Sequence, residues 1–229
     1  MLLVCKDTYT INHTRIKEVF MFKSEKIYSL SGSSLKVSGC EILADTGIPN
    51  QILFASENTE LECFLFHTMM NKQRLHTSYV HSNNFFWTMN LSPAAIEKIC
   101  NELPFLPSNF FIEITEKGRY SEDFIDCAKP FSHMLILDDF GTGYANMEAV
   151  YKLKPHGVKI DKTFFGSSAA YLKSLISELR NYVSVIIAEK VENEDDFALM
   201  KELGADFFQG FYMPSKKLKN VSRAATAAV

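Results

Sequence analysis

Met134-Leu135-Ile136-Leu137-Asp138-Asp139-Phe140-Gly141-Thr142-Gly143-Tyr144 is the stretch from which the fold is read. A short apolar run ends in two adjacent aspartates, two glycines follow, and residues 146–153 read as a helix. An apolar strand closed by a polar residue and followed by a helix is the repeating unit of a parallel sheet covered by helices. Two glycines directly after a strand allow a tight loop close to a ligand or ion. Many strand-to-helix turns look alike, so the glycines alone say little. Coupled to the paired aspartates they are far more specific.

The same unit recurs on both sides of this stretch. Apolar strands are predicted over residues 35–43, 85–89, 110–112, 134–137, 157–160, 183–188 and 205–208. Helices are predicted over 59–79, 93–101, 121–129, 146–153, 169–182 and 194–203. Ser31-Gly32-Ser33-Ser34 reads as a hairpin turn. Seven strands, with an eighth expected in the first 30 residues, point to a closed α/β barrel of the TIM (βα)8 kind rather than an open sheet. Such barrels run to about 250 residues, so 229 implies a trimmed version. No linker-like segment divides the chain, and residues 1–229 are expected to form one domain.

Composition narrows the function. Hydrophobic residues make up 47% and charged residues 22%, which excludes disorder, collagen and coiled coil. A net charge of -3 gives no pull toward nucleic acid or an anionic membrane. No apolar run approaches the roughly 20 residues of a membrane span, and Lys6-Asp7 interrupts the N-terminus too early for a signal-peptide core. The chain therefore reads as cytoplasmic, without a direct nucleic-acid or membrane partner. The five cysteines are scattered with no C-x-x-C pair, which argues against a disulfide framework and for free buried thiols. The basic residues Lys216, Lys217, Lys219 and Arg223 read as a solvated C-terminal helix.

The polar residues at the strand ends are Glu41, Asn90, Glu113, Asp138, Asp139, Lys159, Glu189 and Gln209. In a barrel these ends converge on one rim, where active sites are built. Carboxylates held close together repel and take up protons unless a cation lies among them. An oxygen-rich set without Cys or His suits the hard ions Mg²⁺ or Mn²⁺. Two such ions about 4 Å apart hold a phosphodiester and generate a hydroxide between them. The competing explanation for each acid alone is an N-cap or a solvated strand end.

These residues also resemble the EAL domain family, whose active members are cyclic di-GMP phosphodiesterases. Glu41-Ile42-Leu43 is similar to the E-x-L signature, Asn90-Leu91-Ser92 to the asparagine motif, and Glu113-Ile114-Thr115-Glu116 to E-x-T-E. Asp138 to Tyr144 matches D-D-F-G-T-G-Y, and Lys159-Ile160-Asp161 matches K-I-D. Ala188-Glu189 with Val191-Glu192 resembles A-E-G-V-E, and Gln209-Gly210-Phe211 resembles Q-G-Y. The resemblance runs from about residue 35 to 215. It implies a modified (βα)8 barrel with one antiparallel strand and two-metal hydrolysis of cyclic di-GMP to linear pGpG, an activity that sets motility against biofilm growth.

By position, the resemblance makes Glu41, Asn90, Glu113, Asp138 and Asp139 ligands of two Mg²⁺ or Mn²⁺ ions. Glu189 would be a further ligand or a base, Lys159 would help activate water, and Gln209 would act in the same site. Glu116 and Glu192, with Gly141 and Gly143, would build and hold the glycine loop and its neighbours. Leu43 and the residue at position 45 would face substrate. Phe207, Phe208, Phe211 and Tyr212 suit either core packing or stacking on guanine.

Several positions depart from the family pattern. Asp45 stands where active members commonly carry a phosphate-binding arginine, Ile27 where a substrate-binding glutamine belongs, and Lys190 where the family has glycine. The ending Phe211-Tyr212-Met213-Pro214 also differs from the usual S-K/R-P. The metal side is complete; the substrate side is altered. Stand-alone EAL proteins of enterobacteria include active phosphodiesterases. They also include degenerate members that bind the flagellar regulator subunit FlhD and repress motility. The resemblance thus leaves two activities open and also allows a homodimer.

Overall fold

The computed structural model describes residues 3–11, 14–45, 59–75, 85–116 and 119–213, with side chains from Phe22 onward apart from 71–75. Its nine strands form one sheet in sequence order: β1 (Leu3–Ile11), β2 (Thr14–Ser31), β3 (Ser34–Asp45), β4 (Phe86–Leu91), β5 (Phe110–Ile114), β6 (Leu135–Phe140), β7 (Gly157–Ile160), β8 (Val185–Ala188) and β9 (Phe207–Phe208). A β2–β9 pairing, Tyr28 to Phe208 and Ser29 to Phe207, closes strands β2 to β9 into a barrel. Strands β3 to β9 pair in parallel, whereas β2 is antiparallel to both its barrel neighbours. The expected eighth strand in the first 30 residues is β2, and it is the reversed one. Its first half also pairs with β1, so the N-terminal segment adds a hairpin that the strand–helix pattern did not anticipate.

The turn between β2 and β3 lies at Gly32, with φ 62°. Beyond it the β2–β3 register shifts between Ile27 and Tyr28, and that bulge sets which residues face one another at the rim.

Among the described residues six α-helices cover the barrel: α1 (Thr59–Leu75), α2 (Pro93–Ile99), α3 (Glu122–Ala128), α4 (Met147–Leu153), α5 (Ala169–Leu179) and α6 (Glu194–Glu202). Their starts are written in the sequence. Ser92, Ser121, Asn146, Ser168 and Asn193 cap α2 to α6, each accepting a hydrogen bond from a first-turn N–H. In α5, Leu172, Ile176 and Leu179 recur on one face and are buried, the spacing expected of a helix laid on a sheet. No helix among the described residues is long and apolar enough to cross a membrane. The end of the predicted 59–79 helix past Leu75, Pro214 and the basic residues 216–223 lie outside the described residues.

Inside the barrel, Ile27, Ile136 and Ile187 form a buried apolar layer flanked by Phe86, Phe111, Val185 and Phe207. Side chains on a strand alternate between faces. The next inward residues toward the rim after Phe111, Ile136, Ile187 and Phe207 are therefore Glu113, Asp138, Glu189 and Gln209. The apolar layer is the floor on which the polar site stands. Ile27, placed by resemblance where a glutamine belongs, is a fully buried part of that floor. Because β2 runs backward, its rim residue is Glu25, directly across the ladder from Glu41.

One expectation about cysteine needs correction. Cys40 and Cys63 are free and buried, but Cys100 and Cys127 are joined as a disulfide with Cα atoms 6.2 Å apart. The two residues follow α2 and close α3, neighbouring helices whose ends meet; nothing in the spacing along the chain reveals that meeting.

Candidate active site

Lys159 organises the site. Its Nζ lies 2.7 Å from Glu113 Oε2, 2.7 Å from Glu189 Oε1, 3.2 Å from Asp138 Oδ1 and 3.3 Å from Glu41 Oε2. The lysine side chain is 1% exposed, and Glu113 is fully enclosed. Amides complete the ring: Asn90 Nδ2 donates to Glu41 Oε1 at 2.7 Å and Gln209 Nε2 to Glu41 Oε2 at 2.6 Å. Seven of the eight residues predicted from the strand ends are thus linked in one network through Lys159 and Glu41, drawn from β3, β4, β5 and β6, from β7, and from the ends of β8 and β9.

The charges do not balance. Four largely enclosed carboxylates surround one ammonium, so full ionisation would leave a net charge of -3. Burial pushes the Glu113 carboxyl well above its usual range, and neighbouring Glu41 adds to the rise against the pull of Lys159. Burial also raises Asp138, and it raises Glu189 to about 8. Glu41 alone goes the other way: burial works against its charge, but Lys159 and the Gln209 amide together hold it below the ordinary glutamate value. Lys159 is held firmly charged; burial opposes this, but Asp138, Glu113, Glu189 and Glu41 together prevail.

Asp139 is turned away from this centre. It adopts φ 43°, and its Oδ1 receives Lys190 Nζ at 2.9 Å. One oxygen each of Asp138, Asp139 and Glu116 nevertheless lies within 4.8 Å of the others. Glu116 is therefore part of an acidic group as well as an anchor, since its carbonyl accepts the Tyr144 N–H at 3.2 Å and ties down the glycine loop. Within that loop Gly141 N donates to Ala145 O, and Thr142 Oγ1 donates to Asp139 O at 2.8 Å. Gly141, at φ 99°, packs so closely on Phe164 that a Cβ would sit 1.8 Å from its ring; at Gly143 a Cβ would meet Glu116 O at 2.6 Å. Both glycines are required by space as well as conformation.

The remaining positions lie outside the ring. Glu192 pairs with Lys162 at the surface, in the turn that carries Phe164. Leu43 and Asp45 share the strand face of Glu41 by alternation and lie progressively beyond it. Phe207 and Phe208 belong to the core, Tyr212 packs against it, and Phe211 beside Gln209 is 87% exposed.

Three residues near the site were not anticipated as part of it. Glu25 receives the Gln209 amide at 3.4 Å. Glu62, 2% exposed on α1, accepts the Ser92 N–H at 2.8 Å and so fixes the Asn90-Leu91-Ser92 turn. Asp161 accepts the Thr163 N–H at 2.8 Å and pairs with Lys190.

A divalent cation would suit these donors. Asn90 Oδ1, Glu113 Oε1, Asp138 Oδ1 and Gln209 Oε1 are buried without a hydrogen-bond partner. Asp138 Oδ1 lies near Lys159 Nζ but off the hydrogen-bonding direction. Orphaned buried oxygens are costly, and an all-oxygen set short of positive charge is the chemistry of a hard ion.

The EAL domain family model covers residues 38–215. The probable cyclic di-GMP phosphodiesterase PdeA of Escherichia coli is 32% identical over 46% of this chain and 16% of its own length. The cyclic di-GMP phosphodiesterase PdeL of the same organism is 26% identical over 78% of this chain and 58% of its own length. The chain thus spans less than two thirds of the length of either relative. The EAL-domain protein YkuI of Bacillus subtilis, solved in complex with its substrate cyclic di-GMP and calcium, shares the fold with a TM-score of 0.66 at 19% identity, covering 82% of this chain and 53% of that one. With the family model covering residues 38–215, more than half of the chain and every strand from β3 onward, this chain belongs to the EAL domain family.

Proposed function

We propose that this protein hydrolyses one phosphodiester bond of cyclic di-GMP, giving linear pGpG, with two divalent cations bound at the barrel rim. The observation that carries the proposal is the buried ring of Glu41, Asn90, Glu113, Asp138, Glu189 and Gln209 around Lys159. A protein kept only to bind a partner would gain nothing from enclosing repelling carboxylates, each of which costs several kcal/mol to desolvate.

In this reading Glu41, Asn90, Glu113 and Asp138 hold one ion; Asp138, Asp139 and Glu116 face the other. Bound Mg²⁺ or Mn²⁺ would supply a water ionisable near neutral pH and neutralise charge on the phosphate. The chain's own groups do the rest. Gln209 and Asn90 fix both oxygens of Glu41, so its orientation costs nothing at the moment of reaction. Lys159 keeps a fixed positive charge where negative charge develops. Glu189, held 2.7 Å from Lys159 Nζ on the same rim, is the carboxylate placed to take a proton from that water. The apolar floor and the burial of the ring keep these groups largely out of water, which strengthens each of these interactions.

The test is turnover. Purified protein with Mn²⁺ and micromolar cyclic di-GMP is expected to yield pGpG by chromatography, and Glu41→Ala is expected to abolish it. No product from the wild-type protein would overturn the proposal.

A second reading, a catalytically weak member that binds the flagellar regulator FlhD, is favoured by the acidic substrate side: Glu25 stands opposite Glu41, and Asp45 lies beyond it on the same face. Its test is a pull-down with the regulator. Association surviving Glu41→Ala supports this reading, and undetectable association defeats it.

A further inference from the structure

Lys190 occupies a backbone position that resists it. Its φ is 52°, in the left-handed region that glycine and asparagine tolerate and a long side chain does not favour. Such strain persists where surrounding contacts over-determine it. Here the contacts are two carboxylates: Asp139 Oδ1 at 2.9 Å from Nζ, and Asp161 Oδ2, closer still. Asp139 is itself at φ 43°. Two strained residues, at the ends of β6 and β8, therefore hold each other, and Asp161 ties the pair to the end of β7. The lysine side chain remains 55% exposed, so the ammonium is free to leave by rotating outward.

We propose that Lys190 is a tethered cation that takes the place of the second divalent ion at Asp139, so that the protein binds one ion tightly and the second only when Lys190 swings away. This rests on the two-cation reading above. The Glu41, Asn90, Glu113 and Asp138 donors do not touch Lys190, whereas Asp139 is engaged by it. An incoming ion at Asp139 must break the ion pair before it gains the carboxylate. Occupancy of the two positions is thereby made unequal, and the second becomes responsive to divalent-ion concentration.

The experiment counts ions rather than turnover. Free Mn²⁺ is measured by electron paramagnetic resonance during titration of wild type, Lys190→Met, Lys190→Gly and Lys190→Arg. Methionine removes the charge at the same backbone conformation; glycine also relieves the strain, so one neutral variant remains informative if the other folds poorly. The expected result is one tight ion per wild-type chain and a second bound roughly tenfold or more weakly, as loss of two partly exposed ion pairs would require. The neutral variants are expected to bind two ions of similar affinity, and Lys190→Arg to behave as wild type. Two equal ions on the wild-type chain would overturn the role of Lys190 while leaving the two-cation reading standing. No Mn²⁺ on any variant would overturn both.

Discussion

Glu25 and Glu41 face one another across the antiparallel β2–β3 ladder, and the Gln209 amide lies between them, 3.4 Å from Glu25 and 2.6 Å from Glu41. Like charges directly opposed across a ladder are destabilising unless a donor intervenes. Gln209 is that donor, and the arrangement leaves Glu25 as an exposed negative charge on the side where an anionic dinucleotide would enter.

Neutralising this charge should therefore favour an anionic ligand. Glu25→Gln is expected to tighten binding of cyclic di-GMP in Ca²⁺ by about fivefold, the equivalent of about 1 kcal/mol for a water-exposed charge a few ångströms away. Asp45→Arg, which reverses a charge on the same face as Glu41, is expected to tighten it further. Calorimetry measures both. Unchanged or weaker binding in the two variants would remove the substrate side from the explanation of any low activity.

The raised carboxyls give the metal-free protein an inverted pH response. Glu113, Asp138 and Glu189 keep protons in the folded state that the unfolded chain releases near pH 4, and Glu189 keeps its proton to about pH 8. Folded protein thus binds more protons across this window, and stability falls as pH rises. Glu41, held low, adds stability already complete above its unfolded value; Lys159 is charged in both states throughout. Tm of metal-free protein is expected to decline between pH 5 and 8, and Mn²⁺ is expected to reverse the decline by replacing those protons. A metal-free Tm that rises over this range would contradict the electrostatics described.

Removing the central ammonium should be severe. Lys159→Met leaves the ionised Glu41 without its buried counter-ion and the other three carboxyls without their shared donor, and breaking a buried pair by deleting one partner costs about 3–5 kcal/mol. The expected observation is a loss of that size in denaturant unfolding of the metal-free protein. A change under about 1 kcal/mol would mean that the ring is wetter than its burial implies.

Much of this was legible in the sequence, for physical reasons that also mark where legibility stops. The strand–polar–helix unit around Asp138 repeats because each parallel strand is buried on both faces, and the Ser and Asn caps announce the helices. The inward direction of Glu113, Asp138, Glu189 and Gln209 follows from alternation alone. The reversal of β2 has no such signature, because an antiparallel strand buried in a barrel reads like a parallel one. Counting back from the Gly32 turn places Ser24 opposite Glu41; the bulge at Ile27 and Tyr28 shifts the register by one and delivers Glu25 instead. Glu62 was equally hidden, since a glutamate in the first turn of a helix normally faces water.

That buried glutamate offers a test far from the charged centre. Glu62→Ala leaves the Ser92 N–H without its partner inside the protein, which costs about 1–3 kcal/mol. Denaturant unfolding should show this loss, and Mn²⁺ affinity should fall with it because Asn90 sits in the same turn. Full stability in the variant would show that water replaces the carboxylate.

The claim on which the rest depends is that the ring around Lys159 is built for divalent cations. Anomalous diffraction from crystals soaked in Mn²⁺ addresses it directly. The expected result is a peak about 2 Å from oxygens of Glu41, Asn90, Glu113 and Asp138, the distance typical of small hard cations. A map with no peak there, and with Lys159 still bridging all four carboxylates at saturating Mn²⁺, would contradict it.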